Sequence, residues 1–308
     1  MRIVVAHPRA EAREQWVRML GELLPQAQVE GWAPGSAPAD YAVGWLDEPG
    51  FFDEQTRLRA IFSAGAGVDH LMKQPGLPPQ LPVVRLEDAG MGPQMIEYCL
   101  HEALRVQRRF DDYAAAQCEG AWRPLPALAR TELTVGVFGL GVLGTQVASA
   151  LAAFGYPVRG YSRSPKAIEG VDCFDERSGL RAFLGACRML VLLAPLTEAT
   201  RGLFDAERLG WLPAGAWLVN VARGPLIVDD ALLAALDTGQ LAGATLDVFA
   251  EEPLPPDHPF WRHPKVRITP HVSAMTLVEV SAPQVARKIL ALERGEAVGG
   301  LVDRRRGY

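Results

Sequence analysis

Short unbroken apolar runs recur along this chain, separated by stretches whose apolar positions repeat at helical spacing. An apolar run bounded by turn residues suits a strand covered on both faces, and strands alternating with helices are the pattern of a parallel α/β fold. In the first third, residues 2–6, 41–45, 60–63 and 82–86 predict strands, and 11–24 predicts an amphipathic helix. Proline and glycine clusters at 33–38 and 74–82 predict loops. A longer helical pattern spans 94–113, apolar at Met95, Cys99 and Val106, and reads as a helix connecting two domains. Gly120, Pro124 and Pro126 then break the helical spacing, so 117–126 is expected to protrude as an arm. Beyond Thr134, strands are predicted at 135–138, 158–162, 189–193, 217–221, 244–248 and 266–269. Helices are predicted at 145–154, 205–209, 229–237 and 276–293.

This order predicts an α/β protein with two Rossmann-like, doubly wound parallel-sheet domains and a cleft between them. A substrate-binding, flavodoxin-like domain is expected from 1–95 plus 279–308, discontinuous because the chain returns after its last long helix. An NAD(P)-binding Rossmann domain is expected over 96–278. The length of 308 residues suits about two domains.

Composition narrows the function classes. A 49% hydrophobic and 22% charged chain is that of an ordinary globular protein. A net charge of −5 gives no general attraction to nucleic acid or to an anionic membrane. No apolar run approaches the ~18 residues of a membrane span, and the amino terminus reads as a first strand rather than a secretory leader. Cys99, Cys118, Cys173 and Cys187 are scattered, with neither disulfide-framework nor metal-ligand spacing, so a reducing, cytoplasmic setting is expected and no metal.

The most informative segment is Thr134-Val-Gly-Val-Phe-Gly-Leu-Gly-Val-Leu-Gly144. An apolar strand leads into Gly139-x-Gly141-x-x-Gly144, and a helix comes directly after. A dinucleotide pyrophosphate requires that order: one glycine for the turn, one for backbone approach to phosphate, one for helix–strand packing. The diphosphate then faces unpaired amides at a helix amino terminus. At the end of the next strand, where an NAD site places an acid for the ribose 2′-hydroxyl, stands Ser162-Arg163-Ser164. A guanidinium between two hydroxyls suits a 2′-phosphate. NADPH is therefore expected over NADH, the bland alternative being that Arg163 is a solvated turn residue.

Three later strand ends carry reactive side chains: Val219-Asn-Val-Ala-Arg223-Gly, Leu246-Asp247-Val-Phe-Ala-Glu251-Glu252-Pro, and Ile268-Thr-Pro-His271. The carboxyl ends of parallel strands line one crevice, so the three can converge. Arg223 can hold a substrate carboxylate or polarise a keto oxygen, and His271 can give that oxygen a proton. Glu252, bonded to the imidazole, would stabilise its charged form. Taken singly, each has a plain structural explanation: a solvated arginine, a histidine filling a turn, a surface acid. The order of all three behind a cofactor loop is what carries weight.

In these motifs the chain resembles the D-2-hydroxyacid dehydrogenases, and most closely their glyoxylate/hydroxypyruvate reductase branch. The matching segments are Asn220-Val-Ala-Arg223-Gly224, Asp247-Val-Phe through Glu252-Pro253, and Thr269-Pro270-His271. The resemblance implies Arg223, Glu252 and His271 as the catalytic set, choosing Glu252 over Glu251 because it directly precedes proline. It implies that the turn Ala64-Gly65-Ala66-Gly67, otherwise a plain strand-to-helix turn, presents amides to the substrate carboxylate, and that Arg223 and His271 bind substrate. Trp45, at a strand end, is either a wall of this pocket or an ordinary core tryptophan. Besides the glycine loop and Ser162–Ser164, the resemblance places Leu143, Leu193, Ala194, Pro195, Thr200, Val221, Ala222 and Asp247 along the cofactor. His70 stands where many relatives have asparagine, and it is assigned no role. Trp122, in the arm, resembles a segment that crosses to a second subunit, implying a homodimer. The expected function is NADPH-preferring reduction of small 2-oxo acids. The alternatives are an NAD-linked dehydrogenase of the D-lactate or phosphoglycerate type, or a nucleotide-sensing interaction protein of the same fold.

Overall fold

The computed structural model describes residues 1–305 and Gly307. The chain forms two units: Met1–Met91 with the segment from Thr276 onward, and Gly92–Met275.

The first unit is built on a five-stranded, wholly parallel sheet. Its strands are β1 (Arg2–Ala6), β2 (Gln28–Gly31), β3 (Tyr41–Gly44), β4 (Ala60–Ser63) and β5 (Val83–Val84), arranged β2-β1-β3-β4-β5. This is the doubly wound order whose switch point lies where β1 meets β3. Helix α1 (Ala10–Leu23) follows β1, and α2 (Phe51–Glu54) and α3 (Asp69–Met72) are single turns after β3 and β4. Every residue of β3 and β4 is buried, which is why both read as unbroken apolar runs. The tail closes the sheet from the far end of the sequence. Val302 donates to Val83 O at 2.9 Å, Arg85 donates to Gly300 O at 2.9 Å, and Val84 and Leu301 form an antiparallel bridge.

The second unit opens with α4 (Met91–Gln107) and α5 (Phe110–Cys118), then runs β6 (Val135–Phe138), α6 (Val142–Ala153), β7 (Val158–Tyr161), β8 (Val171–Phe174), α7 (Leu180–Leu184) and β9 (Met189–Leu192). It continues with α8 (Ala206–Leu209), β10 (Ala216–Asn220), α9 (Asp229–Asp237), β11 (Leu241–Leu246) and β12 (Val266–Ile268), and α10 (Val278–Glu293) then re-enters the first unit. Its seven strands are parallel in the order β12-β11-β10-β9-β6-β7-β8. β6 stands mid-sheet with succession running outward on both sides, the Rossmann arrangement. Side chains sort onto the two faces with period two. Val135, Val137, Met189 and Val191 pack with Val147 and Leu151 of α6 and with Cys99 and Ala103 of α4. Phe138, Leu190 and Leu192 pack on the opposite face with Phe183, Phe204 and Leu236. Phe183 and Phe204 are wholly buried, each contributing about 1.5–3 kcal/mol from area removed from water.

Beneath the α4 face lies a polar knot. Glu102 and Arg105, both almost fully buried, pair at 2.8 Å, and the Thr245 hydroxyl donates to Glu102 at 2.5 Å. Arg105 also pairs with Asp111 and stacks 4.9 Å from the Trp217 ring. Burial would raise the Glu102 carboxyl, but bonds from Arg105 and Thr245 outweigh it and hold the group below the usual glutamate range.

The structure departs from the sequence reading in several places. β2 and β8 were not predicted: both are edge strands with no fully buried residue, so neither carries an unbroken apolar run. The short helices α2 and α7 span too few residues to show a period. The predicted 94–113 helix is two helices, because Arg109 adopts φ +57°. α6 starts at Val142, three residues before the expected start, since the glycine loop itself supplies the first turn.

Candidate active site

Three glycines shape the loop between β6 and α6, and the protein itself requires only two of them. Gly139 has φ +111°, and a Cβ there would fall 2.5 Å from the Ala194 amide nitrogen. A Cβ on Gly144 would fall 1.8 Å from Gly139 O, so α6 could not approach β6. Gly141 is different: it has φ −74°, it is exposed, and a Cβ there would meet nothing within 4 Å. Its missing side chain leaves open space at the amino end of a twelve-residue helix, where unpaired amides favour an anion. A dinucleotide diphosphate fits that cradle.

The remaining expected cofactor positions gather round the same sheet edge. Leu193 donates its amide to Phe138 O at 2.8 Å, and Val221 donates to Leu192 O at 3.3 Å, so the ends of β6, β9 and β10 are laced together. Ala194, Val221 and Ala222 are buried, Pro195 is exposed, and Leu143 is half-buried. The Thr200 hydroxyl donates to Pro195 O at 2.8 Å and accepts from Thr197 N at 2.8 Å, so it shapes its own loop. Beyond β7, the Ser162 hydroxyl donates to Ser164 O at 2.7 Å, which bends the chain and leaves Arg163 and Ser164 exposed. No acid occupies this turn.

Arg223 owes its position to Asn220. That side chain, fully buried at the end of β10, donates to Arg223 O at 3.0 Å and accepts from Ala222 N at 3.1 Å. The chain then passes Gly224 so closely against the 249–250 backbone that a Cβ would sit 2.0 Å from Phe249 C. The arginine turn is thereby tied to the segment carrying Glu252.

Glu252 and His271 meet directly. The imidazole Nδ1 lies 2.7 Å from Glu252 Oε2, and Glu252 Oε1 accepts from Phe249 N at 2.9 Å. Nδ1 is thus engaged by the carboxylate, and Nε2 is the nitrogen available to a substrate. Burial would raise the Glu252 carboxyl, but the bonds from His271 and Phe249 N, with the charges of His271 and Arg223, hold it below the usual glutamate range. Arg223, Glu252 and His271 therefore share one electrostatic neighbourhood. Glu251 is exposed and takes no part in the Glu252–His271 pair.

Asp247 is fully buried, and both its carboxylate oxygens are occupied. Oδ1 accepts from Thr269 Oγ1 at 2.5 Å and Val272 N at 2.8 Å, and Oδ2 accepts from Ser273 N at 2.8 Å. Asn220, Thr269 and Tyr98, whose phenol lies 2.7 Å from Thr269 Oγ1, received no role from the sequence. An asparagine at a strand end just before a turn was the one legible sign, since such side chains commonly bond the backbone two or three residues on.

In the first unit, the expected anion turn follows β4. Ala64 N donates to Gly44 O at 3.0 Å and Gly65 N to Ser63 Oγ at 3.2 Å, so these two amides are consumed in shaping the turn. Ala66 and Gly67, by contrast, are partly exposed. The Trp45 ring lies 3.8 Å from where a Gly65 Cβ would stand and packs 4.3 Å, centroid to centroid, from His70.

Among the described residues, no three His, Cys, Asp or Glu side chains gather as a metal site, and no helix is long and apolar enough to cross a membrane.

Residues 100–273 match the family model for the NAD binding domain of D-isomer specific 2-hydroxyacid dehydrogenases. A glyoxylate/hydroxypyruvate reductase A from Serratia proteamaculans is 48% identical, over 100% of both chains. A Xanthobacter autotrophicus dehydrogenase of this family, solved with NADPH and MES, superposes with a TM-score of 0.94 at 40% identity, covering 99% of each chain. An NADPH-dependent glyoxylate/hydroxypyruvate reductase from Sinorhizobium meliloti, solved with NADP and sulfate, gives 0.93 at 36% identity, over 100% of this chain and 99% of that one. The chain therefore belongs to the D-isomer specific 2-hydroxyacid dehydrogenase family.

Proposed function

We propose that this chain is an NADPH-dependent reductase of small 2-oxo acids, converting glyoxylate to glycolate and hydroxypyruvate to D-glycerate. The carrying observation is the Glu252–His271 pair at 2.7 Å, in the electrostatic reach of Arg223, at the carboxyl ends of strands in the sheet that bears the glycine loop. The full-length likeness to glyoxylate/hydroxypyruvate reductases supports the substrate class, and structures solved with NADPH or NADP support the cofactor.

When bound, NADPH supplies a hydride from its nicotinamide ring to the substrate's C2. Arg223 binds the substrate and polarises its keto oxygen. His271 gives its Nε2 proton to that oxygen, and Glu252 stabilises the imidazolium beforehand through Nδ1. One 2-oxo acid, one NADPH and one proton yield one 2-hydroxy acid and NADP. Ala66 and Gly67 are the amides assigned to the substrate carboxylate, with Trp45 limiting chain length. Gly141 and the amino end of α6 take the diphosphate, and Arg163 with Ser164 takes the 2′-phosphate on a turn that the Ser162 hydroxyl holds in shape.

The working form is a homodimer in a reducing cytoplasm. Trp122, 99% exposed, beside a hollow of about 600 Å³ lined by Tyr113, Ala116 and Pro124, supports a second subunit seated there. All four cysteines are free, which suits a reducing compartment. Light scattering that returned the mass of one chain would overturn the dimer.

The activity is tested by following NADPH loss at 340 nm with glyoxylate, hydroxypyruvate and pyruvate. Turnover with the first two is expected, and no turnover with any would remove the assignment. His271→Ala is expected to cost at least about a hundredfold in kcat, from the 10²–10⁴ that a general acid contributes.

A further inference from the structure

The segment that carries His271 is strained and tightly held. His271 has φ +55°, a left-handed backbone in which a residue with a side chain persists only where its surroundings over-determine it. One residue supplies most of that hold. Asp247 accepts Thr269 Oγ1, Val272 N and Ser273 N on its carboxylate, and its backbone oxygen accepts His271 N at 2.8 Å. The residues on either side of the imidazole are therefore pinned to one buried anion.

We propose that Tyr98, on α4, is a positioning residue for the proton donor, acting through Thr269 and Asp247 on the backbone of His271. The Thr269 hydroxyl has a single proton, and it goes to Asp247. The 2.7 Å bond between Tyr98 and Thr269 must then be donated by the phenol, which gives a directional chain from Tyr98 to Thr269 to Asp247. Burial outweighs the opposing effect of the Thr269 bond and, with the charges of Asp247 and Glu102, pushes the phenol above the usual tyrosine range, so it stays protonated, the state a donor requires. Without that donor, the Thr269 hydroxyl is free to rotate away from Asp247, and the anion loses a side-chain partner beneath a strained loop. α4 thus reaches the backbone of the acid through Tyr98, Thr269 and Asp247.

The proposal rests on His271 being the proton donor, and the experiment separates the two. For Tyr98→Phe, kcat for NADPH-driven glyoxylate reduction is expected to fall about tenfold, because a full ångström of misplacement costs on the order of a hundredfold. The NADPH Kd is expected to stay within about twofold, and amide exchange at Val272 and Ser273 to quicken at least about tenfold, since their acceptor is loosened. Thr269→Val should reproduce the loss, Thr269→Ser should restore most of it, and the double variant should cost no more than the worse single one. A purely structural role would lower Tm without this split between kcat and Kd. Wild-type kcat and exchange in Tyr98→Phe would overturn the relay, as would wild-type behaviour of Thr269→Val should Tyr98→Phe not fold. An inactive His271→Ala beside a fully active Tyr98→Phe removes the relay alone, whereas a fully active His271→Ala removes the reading on which it rests.

Discussion

Replacing Gly141 by alanine separates what the cofactor demands of the glycine loop from what the fold demands. The backbone at Gly141 is extended, with φ −74° and ψ −162°, and a methyl group there meets no protein atom within 4 Å. In the absence of ligand the substitution should therefore be neutral or stabilising by up to about 1 kcal/mol, by narrowing the unfolded ensemble. For a domain of this size that is a Tm change of about 2–4 °C upward at most. The space the methyl enters is where the diphosphate approaches the amides of α6. Losing one charge-assisted bond there costs about 1.5–3 kcal/mol. At 1.4 kcal/mol per tenfold, the NADPH Kd should rise about ten- to a hundredfold. The internal contrast is Gly144→Ala, whose methyl would lie 1.8 Å from Gly139 O and should unfold or strongly destabilise the unit before any ligand is added. Thermal melts of the apo proteins and a fluorescence titration with NADPH read both quantities. An unchanged Kd in a well-folded Gly141→Ala protein would refute the placement of the diphosphate.

Three further outcomes are expected. Arg163→Ala should weaken NADPH binding at least about tenfold, the worth of one charge-assisted contact, while leaving NADH binding nearly unchanged; equal losses in parallel titrations would show that the 2′-phosphate lies elsewhere. Glu252 has a folded pKa below its unfolded value, so its stabilising effect is present above the ordinary glutamate range and lost as pH falls through the depressed value. Melts of wild type and Glu252→Gln from neutral to acid pH should therefore converge toward the acid end, and a constant gap would contradict the pairing. Glu102→Ala takes one of two carboxylates from the buried Arg105, which Asp111 still pairs, so it should cost less than the about 3–5 kcal/mol of an uncompensated buried charge. Adding Asp111→Ala should cost more than the sum of the two single changes; additive Tm losses would show that the two acids act separately.

Strands buried on both faces announce themselves. β3, β4, β6 and β9 contain no exposed position, so their runs could be read directly, and Gly139-x-Gly141-x-x-Gly144 marked the place of the helix after β6. β2 and β8 lie at sheet edges, where a strand needs only partial cover, and their mixed composition hides them. Arg109 marks a second kind of blindness: a helix can be divided at an arginine, since nothing in that residue type announces a left-handed backbone. Within the site, Arg223, Glu252 and His271 were legible because each is a reactive type in a short local motif. Asp247's grip on residues 269–273 was not, because it spans more than twenty positions and depends on which strand ends lie side by side. The amides of Ala64 and Gly65 show the same limit, since only the fold decides whether a glycine-rich turn spends its N–H groups on itself.

The return of the tail to the first sheet has a consequence for how the polypeptide is made. Residues 300–302, which bond the backbone of Val83 and Arg85, and α10, which packs on α1, leave the ribosome only after the whole glycine-loop unit. The first unit's sheet emerges earlier yet waits, with an open edge and an uncovered helix, for those residues to follow. The glycine-loop unit, continuous from Gly92 to Met275, has all its strands in hand before then. In the nascent chain, the split unit is completed only after the continuous one that interrupts it.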